Sequence, residues 1–328
     1  CGYGPGTKDV NRQNTVTDNR IHHVGQLLWH SPGIFAWQSG ENHIAHNLIH
    51  HTSYTAIVVS GRIHWSPDGE GECSKTIRWA EIERAAPELQ PGASWRDRER
   101  FLHARQNLVE LNDIHHTMQI LGDGNCIYIS GCGGGNIVRR NYLHDVDSTN
   151  VNANIRCDDD QHETRLEKNV IFRCCGEGFI SKGNNAIVNN FVVDLRSHTT
   201  AGLTCEHQRG YLVFPYSSPK GSVIARNVLL SRTKGQRLLT ERTAPPRTAR
   251  FRDCKADHNL YFNTADPDWG KRHLEAQRPF GVELHSLAAD PRFIDAEAGD
   301  FRFEPDSPAK KLGIESIDLS AAGPRALP

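Results

Sequence analysis

The sequence predicts an all-β fold, a β-solenoid in which the chain winds through a coil of similar turns. Eight times an asparagine precedes a short, mostly apolar segment, at intervals of 28, 65, 29, 28, 21, 37 and 32 residues. A repeat of about 20 to 30 residues with short strands and no helical periodicity indicates a β-solenoid. The interval of 65 residues corresponds to one turn plus an insertion. The repeated asparagines are Asn19, Asn47, Asn112, Asn141, Asn169, Asn190, Asn227 and Asn259.

Residues at the same position of successive turns should stack about 4.8 Å apart, so that side chains distant in sequence become neighbours. The repeated asparagines should therefore form a column whose amides hydrogen-bond from turn to turn. This role is structural, and we assign these asparagines no part in catalysis.

Each asparagine segment is followed by a second strand, in which alternate side chains point into the core. The pattern predicts inward columns beginning with Ile34 and Ala36, and outward columns beginning with Phe35 and Trp37. The outward column that begins with Trp37 becomes charged at Asp158. The predicted second strands are 33–37, 56–60, 126–130, 154–158, 178–182 and 202–206.

One long segment interrupts the repeat, and another follows it. Residues 62–106 are predicted to be an insertion with a short amphipathic helix over 76–84. We therefore predict a β-helical body over 1–265 that contains this insertion. Residues 266–328 are predicted to be an irregular C-terminal capping segment of the same domain, as solenoid ends require a cap.

Composition and charge exclude several classes of protein. The formal net charge is −1, and a nucleic-acid-binding protein would usually show a basic field, so no nucleic-acid partner is expected. No run of 18 apolar residues exists, so no membrane partner is expected. The nine cysteines match no zinc template, and most should be buried as small apolar residues. The first ten residues resemble the middle of a turn and not a signal peptide, which suggests a truncated N-terminus.

The densest acidic cluster lies where the strand over 154–158 enters its turn. Asp158, Asp159 and Asp160 are adjacent in sequence, and like charges this close should raise at least one carboxyl pKa. A raised pKa is what makes a carboxyl group a general acid near neutral pH. Asp123 lies one turn earlier, just before its strand, and would face this cluster. Alternatively, Asp123 is a turn residue and the three aspartates form a solvated loop or a calcium site.

Charged residues on the following turns extend this candidate site. Asp158, Lys182 and Glu206 share one predicted outward column, which would form a salt-bridge ladder. Alternatively, Lys182 holds Asp158 ionised or acts as the base of a lyase. Arg156 belongs to the adjacent outward column, from which it could hold a carboxylate or hydroxyl group of a substrate.

Aromatic and imidazole side chains supply further candidates for substrate contact. Tyr128 and Trp37 offer flat faces on the outward columns. His115 and His116 are on the same turn as Asp123, and His162 follows the acidic cluster. The histidines after the asparagines form parallel columns (His22, His50, His115 and His144, beside His23, His51 and His116). Because ligands in parallel columns do not converge on one point, no metal centre is predicted.

These segments resemble those of the right-handed parallel β-helix carbohydrate-active proteins over about 14–323, and glycoside hydrolase family 141 is the nearest group. The similarity is carried by 118–128, 141–145 and 155–159, together with 289–293, 300–302 and 307–309. It implies a right-handed parallel β-helix, and α-L-fucosidase or xylanase activity with two catalytic aspartates, here Asp123 and Asp158. The chain departs from the pattern at Arg156, where relatives commonly have tyrosine.

Three hypotheses about function follow. The first is a glycoside hydrolase, with Asp123 and either Asp158 or Asp159 as acid and base or nucleophile, and no cofactor. The second is a polysaccharide lyase or epimerase, in which Asp158, Asp159 and Glu206 bind calcium while Lys182 or Arg156 removes a proton. The third is a non-catalytic, carbohydrate-binding surface protein, because one fold hosts many functions.

The expected partner is a carbohydrate polymer or oligosaccharide bound along the outer face of the coil. A protein acting on such polymers is expected to be secreted or periplasmic.

Overall fold

The computed structural model describes residues 10–61, 79–90, 92–148, 151–196, 199–200, 203–204, 210–215, 219–242 and 250–326. Three parallel sheets run along one coil, and each turn passes through sheet A, then sheet B, then sheet C. This arrangement confirms the predicted all-β, right-handed parallel β-helix. None of the helices in these ranges is both long and apolar enough to span a bilayer.

The strands of the three sheets recur in chain order. Sheet A contains Thr15–Thr17, His43–Ala45, Leu108–Glu110, Ile137–Arg139, Arg165–Glu167, Ala186–Val188, Val223–Ala225 and Lys255–Asp257. Sheet B contains Arg20–His22, Leu48–His50, Asp113–His115, Tyr142–His144, Val170–Phe172, Phe191–Val193, Val228–Ser231, Leu260–Asn263 and Leu287–Ala288. Sheet C contains Ile34–Trp37, Ile57–Ser60, Gly124–Ser130, Val151–Asp158, Glu177–Ser181, Leu212–Pro215 and Leu239–Arg242.

The predicted asparagine column forms the corner between sheets A and B. The Nδ2 of each asparagine donates to the Oδ1 of the next, over distances of 2.8–3.1 Å from Asn19 to Asn259. The residue before each asparagine has a positive φ, as in Asp18 and Arg140. Since the asparagine side chain also bonds backbone groups, this sharp corner buries few unpaired polar groups.

A second asparagine column, which we did not predict, precedes sheet A. Asn14 donates to Asn42 (2.7 Å), Asn42 to Asn107 (2.8 Å) and Asn107 to Asn136 (3.0 Å). Their sequence separations of 28, 65 and 29 residues equal those of the first column. The same interval analysis could therefore have found this column from the sequence.

The register of sheet C agrees with the predicted columns over its first five strands. Ile34 pairs with Ile57, Ile57 with Ile127, Ile127 with Ile155, and Ile155 with Phe179, so large apolar side chains fill the interior.

The sixth predicted strand of sheet C, over 202–206, is wrong. Phe179 pairs instead with Leu212, in strand Leu212–Pro215. Leu203–Thr204 belongs to a small antiparallel ribbon with Thr199–Thr200. The segment Leu212–Pro215 forms the strand because it buries the large apolar side chains of Leu212 and Phe214 in the core. The segment 202–206 would supply only a leucine and a cysteine.

The insertion between sheets C and A packs as a small unit of its own. It contains the helices Trp79–Ala85 and Trp95–Arg98 and the 3-10 turn Glu99–Phe101, around buried Ile82, Trp95 and Phe101. Ser94 caps the second helix through a reciprocal capping box with Asp97. The Trp95 indole donates to the Cys132 carbonyl at 2.8 Å, which fixes the unit against the turn that follows sheet C.

The C-terminal segment lies both at the end of the coil and along its side. The helix Trp269–Gln277, followed by the 3-10 turn Arg278–Phe280, contacts the last turns of the core. The hairpin Phe293–Asp295 and Asp300–Phe303, with the 3-10 turn Pro308–Leu312, packs against the outer face of sheet B. Because Leu287–Ala288 still extends sheet B, the division at residue 265 stays a prediction.

We expect Asn141→Ala to lower the free energy of unfolding by about 2–4 kcal/mol, since it leaves several buried polar groups without partners. The Asn141 Nδ2 donates to Asn169, and its Oδ1 accepts from Asn112, both at 2.9 Å. Urea unfolding followed by circular dichroism measures the loss. Asn19→Ala is the matched control, because Asn19 is exposed at the first turn and should cost less than about 1 kcal/mol. Equal losses in the two variants would contradict a buried ladder.

Candidate active site

A groove of about 940 Å³ lies on the outer face of sheet C. One part is aromatic and is lined by His30, Phe35, Trp37 and Tyr54, from the first two turns. The other part is charged, and its lining residues are Asp123, Tyr128, Arg156, Asp158, Asp159 and Lys182. The groove thus combines flat apolar faces with closely spaced carboxylates.

Arg156 lies at the centre of the charged part and links the two predicted catalytic aspartates. Its Nη1 lies 3.3 Å from Asp123 Oδ1, and its Nη2 lies 2.5 Å from Asp158 Oδ2. The guanidinium also lies 5.8 Å from the centre of the Tyr128 ring. Burial lowers the pKa of Arg156, but Asp158, Tyr128 and Asp123 together raise it by more than burial lowers it. The net shift of the pKa is upward, so Arg156 stays protonated.

Asp158 is the buried carboxylate of the site, with 6% of its side chain exposed. Its Oδ2 accepts from the Tyr128 hydroxyl at 3.0 Å, and its Oδ1 forms an ion pair with Lys182. Burial raises the pKa of Asp158, but Arg156 and Lys182 lower it more, and the net shift is downward. The sequence predicted that at least one acid of the cluster has a raised pKa. Asp158 has the opposite shift, because two cations offset its desolvation.

Asp123 and Asp159 flank Asp158 in contrasting surroundings. Asp123 is 85% exposed at the groove and accepts from Asn152 at 3.0 Å. Asp159 accepts from the Ser130 hydroxyl at 2.6 Å and from the Tyr128 hydroxyl at 3.4 Å. Both aspartates have positive φ values, of 52° and 49°, so a left-handed turn aims each carboxylate.

The predicted column of Asp158, Lys182 and Glu206 is only partly formed. Lys182 follows strand Glu177–Ser181 and pairs with Asp158 as predicted. Glu206 lies outside the described residues. The register places Val213 beside Ile180, so the segment containing Glu206 does not supply the next strand of sheet C.

The predicted histidine contacts lie away from the groove. His115 ends strand Asp113–His115 of sheet B, and His116 follows it, so both are on a different face of the coil from Asp123. His162 lies between Asp160, at 3.0 Å, and the ring of Trp95, with ring centroids 5.0 Å apart. Their role in substrate binding stays a prediction.

Two residues that line the groove, His30 and Tyr54, and the buried Ser130 beneath it escaped the sequence analysis. His30 and Tyr54 lie with their ring centroids 4.4 Å apart at the aromatic end, and Ser130 orients Asp159. The serine could have been found, because Ser130 precedes Asp158 in the predicted outward column. No similar signal marks His30, which lies in a loop outside the repeat.

One group of metal-ligating atoms stands out among the described residues. The ligand atoms of Asp257, His258 and His285 all lie within 4.8 Å of one another. This group lies at the last turns of sheets A and B, away from the groove. Within the groove, Arg156 and Lys182 would repel a divalent cation beside Asp158.

The likeness of this chain to known proteins is slight. The sequence matches no protein-family model and no curated protein. A solved structure of XylC in complex with xylose aligns with 87% of this chain, at 12% sequence identity and a TM-score of 0.33. The alignment covers 56% of the XylC chain.

The lowered pKa of Asp158 predicts the acid sensitivity of the fold. The unfolded chain binds a proton at this carboxyl more readily than the native protein does, so stability falls as the pH drops below about 4. The Asp158→Asn variant cannot titrate at this position, and its free energy of unfolding should fall less over the same range. Lys182→Met removes a cation that lowers the native pKa of Asp158, so the loss of stability below about pH 4 should be smaller in this variant and should end at a higher pH. Urea unfolding at a series of pH values measures the free energy of unfolding as a function of pH. An equal decrease with falling pH in the wild type and in Asp158→Asn would contradict the prediction.

Proposed function

We propose that this protein is a glycoside hydrolase that binds a polysaccharide or oligosaccharide along the outer face of sheet C. The observation that carries the proposal is the linkage of Asp123 and Asp158 by one guanidinium within a groove that also presents aromatic rings. Two carboxyl groups across a sugar-sized cleft are the minimum equipment for glycoside hydrolysis. Membership of glycoside hydrolase family 141 and a secreted or periplasmic location are parts of the same proposal.

The two carboxyl groups have different roles in this mechanism because their surroundings differ. Asp158 stays ionised, so it acts as the base or nucleophile and stabilises positive charge on the sugar ring in the transition state. Asp123 is exposed at the groove, so a bound sugar chain would cover it and exclude water, which favours the protonated form. In this proposal it is then the acid that gives its proton to the oxygen of the leaving group. Asp159 is the alternative partner, since it shares the Tyr128 hydroxyl with Asp158.

The reaction balances without a cofactor. The proton from Asp123 goes to the glycosidic oxygen as the bond to the anomeric carbon breaks. Water attacks that carbon directly, or a carboxylate attacks it first and water later displaces the carboxylate. In either route a carboxylate accepts the proton that the attacking water loses, and the product has a new reducing end. Both Asp123 and Asp158 contact Arg156, so a single guanidinium fixes their relative positions.

The aromatic part of the groove is the place for neighbouring sugar units. Phe35 and Trp37 lie on adjacent outward columns, with their ring centroids 5.6 Å apart, and Phe35 is exposed. Flat apolar faces beside polar groups suit the faces and hydroxyls of a sugar chain. Tyr54 and His30 border the same end of the groove.

The lyase hypothesis has weaker support from this geometry. Arg156 has a raised pKa and cannot serve as a proton acceptor near neutral pH, and Lys182 is held in an ion pair with Asp158. The same two cations oppose binding of calcium beside Asp158. A measurement of activity separates a hydrolase from a non-catalytic carbohydrate-binding protein.

We expect Asp158→Asn and Asp123→Asn each to lower kcat by about 10²–10⁴-fold, because each removes a group that transfers or balances charge in the transition state. The assay follows reducing ends and the ultraviolet absorbance of unsaturated sugars together, on neutral and uronate-containing polysaccharides, with calcium or a chelator. Asp300→Asn changes a partly exposed aspartate that pairs with Arg302 on the C-terminal hairpin, and it should retain activity.

Reducing ends without ultraviolet absorbance, insensitive to the chelator, would support a hydrolase. An ultraviolet absorbance that rises with calcium would contradict the hydrolase and support the lyase hypothesis. Full activity in both aspartate variants would remove these residues from the mechanism, and no activity on any substrate would favour a binding protein.

We expect Trp37→Ala to raise KM about 5-fold with a smaller change in kcat, because an aromatic contact distant from the reacting bond contributes roughly 1 kcal/mol to binding. Steady-state kinetics on an oligosaccharide series measures this change. Phe280→Ala, at an exposed aromatic residue of the C-terminal segment, is the matched control. A KM unchanged in Trp37→Ala would place the sugar chain elsewhere.

A further inference from the structure

The outer face of sheet B carries two adjoining columns of histidines near the N-terminal end of the coil. His22, His50 and His115 stack with ring centroids 5.1 and 4.8 Å apart and nearly parallel planes. Beside them, the second column has spacings of 5.0 and 5.1 Å and interplanar angles of 12° and 1°. Its members are His23, His51 and His116.

The two columns meet in pairs, which the sequence analysis did not anticipate. In each turn the Nδ1 atoms of the two histidines approach to 2.8, 2.7 and 2.7 Å. The paired rings are nearly perpendicular, at 89°, 84° and 87°. We name these three pairs the histidine rows: His22 with His23, His50 with His51, and His115 with His116.

The backbone holds both members of each row in place. The first histidine ends a strand of sheet B, where parallel pairing fixes its position, as for His50 opposite His115. The second has a positive φ, which is 50° at His51 and 48° at His116, so the chain turns and brings its ring back beside the first. The rows are therefore built by the same regular repeat that builds the coil.

The rows supply the type of side chain that transition metals prefer as a ligand. A neutral imidazole has a free ring nitrogen and is the commonest protein ligand of zinc, nickel and copper.

We propose that the histidine rows form a binding site for divalent transition-metal ions, with the two Nδ1 atoms of a row as chelating ligands. Ligand atoms bound cis to one ion at about 2.1 Å lie roughly 3 Å apart, close to the spacing in each row. The ion replaces the proton of the Nδ1–Nδ1 hydrogen bond, which moves to Nε2 of the same ring, and the two rings turn toward the ion. Water completes the coordination of the bound ion. The aspartates Asp113 and Asp145 engage His144 at the next turn, which ends the array.

The spacing of the rows limits how many ions bind. Two divalent ions in adjacent rows would lie about 5 Å apart and would repel each other strongly, so we expect about one to two ions per chain. The rows also lie on a different sheet from Asp123 and Asp158, so metal binding does not depend on the proposed hydrolase activity.

Isothermal titration calorimetry with Ni²⁺, in a buffer that does not bind metals, tests the proposal. The triple variant His23→Asn, His51→Asn and His116→Asn removes one ligand from every row. Asparagine tolerates a positive φ, and Asp145 occupies the same column at a φ of 47°, so a side chain of this size fits. We expect saturable binding in the wild type and at least a roughly 10-fold weaker affinity, or fewer sites, in the variant.

The cluster of Asp257, His258 and His285 provides the matched control, because its ligand atoms lie within 4.8 Å of one another on other turns. His285→Ala should leave Ni²⁺ binding unchanged if the rows are the site. Equal binding in the wild type and the triple variant, or loss of binding in His285→Ala alone, would overturn the proposal.

Crystals grown with Ni²⁺ give a test that needs no variant. Anomalous diffraction at the nickel edge should place a peak between the Nδ1 atoms of a histidine row. A peak at His285 with none at the rows would overturn the assignment, even if the triple variant failed to fold.

Discussion

The hydrogen-bonded asparagine column at the corner of sheets A and B is the constraint on which the rest of the molecule depends. Each amide bonds the next turn and nearby backbone groups, and each asparagine follows a residue of positive φ. One bond geometry, repeated from Asn19 to Asn259, therefore holds successive turns at a common spacing. The amides from Asn47 to Asn259 are buried, so leaving any of them unpaired would cost more than an exposed bond contributes.

A fixed corner lets the chain leave the coil elsewhere without disturbing it. The insertion before strand Leu108–Glu110 and the excursion before Leu212–Pro215 both depart from the repeat, yet the asparagine column continues through each turn. The same regularity places Arg156 beside Asp123 and Lys182 beside Asp158, although they come from different turns. The groove is thus assembled from neighbouring turns and not from neighbouring residues.

Stacking at this spacing has opposite electrostatic consequences on two sheets. On sheet C, Asp158 is buried between Arg156 and Lys182, and the two cations keep the carboxylate ionised. On sheet B, identical imidazoles stack with one another, and burial with mutual repulsion keeps His50 and His115 neutral. Stacking at one spacing therefore keeps a carboxylate charged at the groove and keeps these two imidazoles uncharged on the outer face of sheet B.

The sequence by itself determined the coil, the asparagine column and the inward residues of sheet C as far as Phe179, because these follow from a period and from strand alternation. It also placed Asp123, Asp158 and Lys182 together, since stacking depends only on register. Only the tertiary structure decided the rest. The strand that pairs with Phe179 was decided by how much apolar surface each candidate segment buries. The direction in which the pKa of Asp158 shifts was decided by its distances to two cations. The pairing of His51 with His50 depended on a backbone turn that no side-chain pattern encodes.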